Sequence, residues 1–204
     1  LSATGRARAD FTLSASDLDS TVVLKRLHAK KSLYLHLIED RKDLPERIAA
    51  MAAELHGKVI VFLSAVEHAE KCAQALRKTA KDGVVTLTGT MRGAERDELV
   101  RDPVFVRFLP RPSAGVVQRE GTVFLVATAA GEVGIDISAD HLVTDLPPFD
   151  ALAQRLGRVN RYGEGDAKVH VYCEVSKRPV PTAKDGAGAG GDTDDEDKIP
   201  KRKE

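Results

Sequence analysis

Arg155, Arg158 and Arg161 stand three residues apart in "DALAQRLGRVNRYGEG", residues 150–165, with Gln154 beside them and Gly157 and Gly163 close by. Arginine carries a permanent charge on a planar fork that matches the oxygens of a phosphate, so such a cluster suits phosphate recognition. A solvated helix end, with arginines answering its last carbonyls, is the plainer alternative. A second chemical cluster is "TAAGEVGID", from Thr128 to Asp136. Its glycines allow backbone N–H groups to approach an anion, and Asp136 is a candidate acceptor for sugar hydroxyls. Ser64, and then Thr88, Gly89, Arg92 and Arg96, complete the polar positions that follow apolar runs.

Those positions need elements to hold them. "KVIVFLS", "VVTL", "TVFLVAT" (122–128), "HLVTDL" (141–146) and "KVHVYCEV" (168–175) are apolar, β-branched runs of the kind buried on both faces of a parallel sheet, and "SLYLHLI" adds a short strand. Between them, "LPERIAAMAAELHG" reads as a helix stopped by Gly57, and residues 66–81 as an amphipathic helix with Val66, Ala69, Ala73 and Leu76 inward. "DLDSTVVLKRLHA" reads as one helix capped by Ser16, and "AERDELVR" as a short one. Strands alternating with helices predict an α/β fold with a parallel sheet. Ligands of such sheets gather outside the carboxyl ends of the strands, and the arginine segment, following a strand, is expected on that same rim.

The chain divides into a polar connector (1–16), an α/β domain (17–178) and a Gly-, Ala- and Asp-rich tail (179–204) expected to be disordered. The stretch 101–121, rich in proline and glycine, interrupts the alternation; connections so long are usually functional or disordered. Lys plus Arg and Asp plus Glu both number 31, so any nucleic-acid binding must come from local clusters and not from net charge. Cys72 and Cys173 lack metal or disulfide spacing, the six histidines are scattered, and no apolar run is long enough for a membrane span. These features point to a soluble, cytoplasmic chain with no metal site of its own, and Leu1 in place of Met points to a longer protein.

"VATAAGEVGID" followed by "QRLGRVNR" resembles motifs V and VI of superfamily 2 helicases. "LSAT" is similar to their motif III, "VIVFLSAVEHAEKCAQAL" to motif IV, and "LTGTMRGAERDEL" to the element after it. The resemblance covers roughly residues 1–175 and implies a RecA-like second lobe. "GRVNR" in place of the RNA-helicase "GRTGR", and the Glu of "AGEVGIDI", look closest to the helicase–nuclease of type I CRISPR interference. "FTLSASDL" and "PVFVRFLPRP" are similar to a branch in which a nuclease domain follows the helicase.

The resemblance implies that Arg158 and Arg161 are arginine fingers for ATP and magnesium held by an N-terminal lobe. It places Gln154, Gly134 and Asp136 at the nucleotide, and Ser64, Thr88, Gly89, Arg92, Arg96 and Thr128 along single-stranded DNA. A nuclease domain and a CRISPR guide-RNA complex are the further partners implied. The sequence holds no GxxxxGK[ST] loop, and "DTDDEDK" has no strand before it to serve as a magnesium site, so this chain by itself is expected not to hydrolyse ATP. An RNA helicase lobe, or a docking module without catalysis, are the competing readings, since backbone contacts discriminate weakly between DNA and RNA.

Overall fold

A computed structural model describes residues 13–89, 97–110, 117–131 and 135–175. Motif III-like "LSAT", the tail, Arg92, Arg96, Gly134 and the first three residues of "AERDELVR" lie outside the described residues, and residues 97–99 of that segment are helical as expected. Six strands, β1 (Lys31–Ile38), β2 (Lys58–Phe62), β3 (Val84–Leu87), β4 (Val123–Ala127), β5 (His141–Asp145) and β6 (Ala167–Glu174), form one sheet. Every pairing is parallel, in the order β1-β6-β5-β2-β4-β3. The helices are α1 (Ala15–Leu18), α2 (Thr21–Leu27), α3 (Leu44–Ala53), α4 (Val66–Ala80) and α5 (Phe149–Leu156).

The β-branched runs behave as their composition requires. In β2, Val59 and Val61 face a core completed by α3 and α4, whereas Ile60 and Phe62 face the opposite core with Leu125 and Leu142. All four are fully buried, which is why the strand tolerates no polar alternation. Ala69, Ala73 and Leu76 of α4 pack inward as the periodicity predicts, and Val66 is only half-buried.

Residues 101–110 have a packing role that their prolines conceal. Val104, Phe105, Val106 and Phe108 are buried, and all but Val106 belong to the second core, on the face that α5 covers only in part. Arg107 Nη1 donates to the carbonyls of Arg119 (3.1 Å) and Gly121, closing the segment on itself.

The single helix expected over 17–29 is two. Ser14, not Ser16, caps the first: Asp17 N–H donates to Ser14 Oγ (3.2 Å) and Ser14 N–H to Asp17 Oδ2 (2.9 Å), a reciprocal box that fixes the start at Ala15. The chain then breaks at Asp19–Ser20, where two residues that compete for backbone hydrogen bonds precede α2.

β1 occupies an edge. Leu33, Leu35 and Leu37 on one of its faces are 62–66% exposed. On the other face, four rings stack across the β1–β6 pair: Tyr34 on His170, His170 on His36, and His36 on Tyr172, with centroids 4.6–5.1 Å apart. His36 Nε2 and His170 Nδ1 share one hydrogen bond at 2.9 Å. Burial first, then His36, Lys168 and His141, lower the pKa of His170 to about 4.

Candidate nucleotide and nucleic-acid site

Helix α5 decides where the chemistry sits. It leaves the carboxyl end of β5 through Pro147 and Pro148 and runs back along the sheet, so Arg158 and Arg161 emerge at the opposite, amino end. There Val159 bridges Ala139, just before β5, with Ala139 N–H donating to Arg158 O (2.9 Å) and Asn160 N–H to Ala139 O (2.8 Å). The expectation of one shared rim is therefore corrected. A helix that follows a parallel strand must return the chain to the starting edge before the next strand can begin. That signal was present in the sequence, and it separates the candidate residues by about the length of β5, roughly 17 Å.

At the carboxyl end, β2, β4 and β3 are consecutive neighbours, so the residues that follow them form a row. Leu63 N–H donates to Ala127 O (3.0 Å) and Thr128 N–H to Leu87 O (3.1 Å), extending the ladder past the strands. Ser64 and Gly89 are exposed on this row, whereas Thr88 and Thr128 are 8% and 5% exposed. The accessible chemistry is thus one hydroxyl, backbone amides and no fixed charge among these four residues.

At the amino end, the loop after α5 is held in one shape by Asn160. Its backbone is left-handed (φ 42°), a conformation open to glycine and, among other residues, most readily to asparagine. This gives a physical reason for Asn in "GRVNR" where the RNA-helicase pattern has Gly. The side chain adds what glycine cannot: Nδ2 donates to the carbonyls of Lys30 (3.0 Å) and Gly165, and Oδ1 accepts from the N–H groups of Glu164 (3.0 Å) and Gly165 (3.3 Å). From outside, α2 clamps the loop. Arg26 lies over the ring of Tyr162 (5.4 Å), and at Gly163 (φ 67°) a Cβ would collide with the carbonyl of Lys25.

On this stapled loop, Arg161 pairs with Asp136 while remaining 39% exposed. Burial first, and then the charge of Arg161, pull the Arg158 guanidinium below its ordinary value, with Asp136 opposing both. Both guanidinium groups thus lie within the electrostatic reach of Asp136 on one face of the loop. A carboxylate has about four acceptor sites, so Asp136 keeps capacity for a sugar hydroxyl while holding Arg161. Gln154 is half-buried on α5, four residues before Arg158. A cavity of about 290 Å³ opens beside Asn160 and Tyr162, lined also by His56, Lys58, Asp140 and His141.

Arg155 departs from its two neighbours. It is 2% exposed, and its guanidinium lies against Phe62 (5.3 Å) and donates to Asp145 Oδ1 (2.6 Å) and Thr144 Oγ1 (2.6 Å). The three-residue register of arginines thus contains one internal ion pair and two surface groups.

A family model for the C-terminal part of the CRISPR-associated nuclease/helicase Cas3 matches residues 55–164, a span that runs from before β2 through the arginine loop. The chain belongs to the Cas3-like C-terminal family. A CRISPR-associated nuclease/helicase Cas3 of Myxococcus xanthus is 32% identical over an alignment of 151 positions that covers 67% of this chain and 18% of that protein. This Cas3-like chain therefore spans less than a fifth of the relative's length. Among solved structures, T. fusca Cas3 with AMPPNP superposes with a TM-score of 0.55 at 18% identity, over 75% of this chain and 19% of that one. The C-terminal domain of the DEAD-box protein Dbp5 gives 0.53 at 22% identity, over 71% and 77%. The fold is that of a RecA-like helicase C-terminal lobe, as the motif resemblance implies.

Proposed function

We propose that this Cas3-like lobe is the second half of an ATP-dependent single-stranded DNA translocase used in CRISPR interference. The observation that carries the reading is the loop 158–161, which presents two guanidinium groups beside one carboxylate on a backbone locked by Asn160. ATP and magnesium would be held mainly by an N-terminal lobe, and this surface would close the cleft. Arg158 and Arg161 would meet the γ-phosphate oxygens, where charge accumulates during phosphoryl transfer. Fingers of this kind contribute on the order of 10³–10⁵ in rate in GTPases. Asp136 orients Arg161 and accepts a ribose hydroxyl, and Gln154 contacts the nucleotide from α5.

The carboxyl-end row supplies the complementary half of a motor. Ser64, Gly89 and the amides after β2, β4 and β3 would hold a sugar-phosphate backbone without reading bases, as sliding requires. Thr88 and Thr128, being buried, would shape that row through their backbone groups, and Arg92 and Arg96 would add charge to it. A nuclease domain and a guide-RNA complex complete the partners proposed.

The test is Arg161→Ala in a polypeptide that also carries the phosphate-loop lobe. Stimulated ATP hydrolysis should be abolished with single-strand affinity unchanged; retained turnover would remove the finger assignment.

A further inference from the structure

Arg155 spans the distance between the two ends of the sheet. Its backbone lies in the last turn of α5, three residues before Arg158, and Arg158 N–H donates to its carbonyl (3.0 Å). Side chains on a helix lean toward its N-terminus, so the guanidinium reaches back to the carboxyl end of β5. There Asp145 uses both carboxylate oxygens: Oδ1 accepts from Arg155 (2.6 Å), and Oδ2 accepts from the backbone N–H of Ser64 (2.8 Å). Arg155 Nη2 also approaches Ser64 Oγ (3.4 Å), and Thr144 Oγ1 accepts from Nη1 (2.6 Å). One buried guanidinium and one carboxylate thus join the exposed serine of the carboxyl-end row to the turn that carries the two surface arginines.

We propose that Arg155 is a positioning residue that couples the nucleic-acid row to the arginine loop, through Asp145 and Ser64. This rests on the functional reading above and adds the route by which its two halves communicate. The bonds of Arg155 to Asp145 and Thr144 are charge-assisted, short and buried, and the Ser64 amide joins them at the part-buried edge, so a displacement of Ser64 passes to α5. A strand seated on the Ser64 amide shifts the carboxylate that shares it, and the carboxylate is bound to the residue whose carbonyl anchors Arg158. Arg155→Lys keeps the charge and loses the fork, so it loosens the route while leaving a partner for Asp145.

The experiment uses this chain, a fluorescent thymidine oligonucleotide, and the Nε–H resonances of Arg158 and Arg161. Anisotropy reports binding at the row, and the resonances report the loop at the far end of α5. In the wild type, binding should move both arginine signals. In Arg155→Lys, affinity should stay within about twofold and the signals should stop responding. Thr144→Val removes one acceptor, leaves the ion pair, and should reduce the response by roughly half; it serves also if Arg155→Lys unfolds. A bound oligonucleotide that leaves the wild-type signals still, or moves them equally in Arg155→Lys, overturns the coupling while the functional reading stands. No binding by anisotropy overturns that reading and the coupling with it.

Discussion

The two ends of the sheet are built from different materials. At the carboxyl end, polar groups come directly off adjacent strands, are mostly backbone, and carry no fixed charge in Ser64, Thr88, Gly89 and Thr128. At the amino end, chemistry sits on the loop that joins α5 to β6, is made of guanidinium groups, and is held in shape by side-chain staples. Strand ends are rigid because the ladder fixes them, so short residues suffice there. A loop that must present long charged side chains needs its own fastening, and Asn160, Gly163 and α2 supply it. The first arrangement suits a track that any sequence can occupy; the second suits a charged group that must be met at one place.

The largest expected effect removes what joins the ends. Arg155→Ala leaves Asp145 charged and buried, a change that costs about 3–5 kcal/mol, on the order of ten degrees in melting temperature. A loss of under two degrees in thermal denaturation would show that water reaches the pair. Next, Asn160→Ala should cost about 1–3 kcal/mol, since it loses the side-chain bonds and strains a left-handed backbone. Asn160→Gly should cost less, because only the bonds go. Hydrogen exchange should rise in residues 157–165 in both variants and stay unchanged after β2, β3 and β4. Equal exchange at both ends would erase the distinction between them.

A pH titration probes the sheet beyond either end. His170 is held near pKa 4, below the ordinary value of about 6.5, so the unfolded chain takes up the proton first. The stability this neutral ring contributes is complete above the ordinary value and is lost as pH falls from there toward 4. The shared hydrogen bond with His36 also requires that one of the two facing nitrogens lack a proton. Melting temperature should therefore decline over that window, with exchange rising first in β1, and His170→Phe should flatten the decline. The smallest effect is at the row: Ser64→Ala should weaken single-strand binding a few-fold, the worth of one neutral hydrogen bond, as read by anisotropy.

How far the molecule could be read from its sequence differed in the same way between regions. The β-branched runs announced their strands, because a segment buried on both faces admits few polar residues; Val59 to Phe62 show this. The core residues Val104, Phe105 and Phe108 were hidden by the prolines around them, which erase any periodicity. The motif positions around Arg158 and Asp136 were legible as residue types, and the structure brings Arg161 and Asp136 together. Arg155 was indistinguishable from its neighbours, since a three-residue spacing does not say which guanidinium finds a carboxylate on the preceding strand. Gly134, Arg92 and Arg96 remain as the sequence left them, outside the described residues.

The proposed motor requires the amino-end loop to complete an ATP site driven by DNA held at the other end. ATP hydrolysis by a polypeptide joining this lobe to a phosphate-loop lobe should be measured without nucleic acid, with single-stranded DNA, and with RNA of matched sequence. Stimulation by DNA that RNA does not match and that Arg158→Ala abolishes is the expected result. Stimulation by RNA alone, or turnover indifferent to both nucleic acid and Arg158, would contradict it.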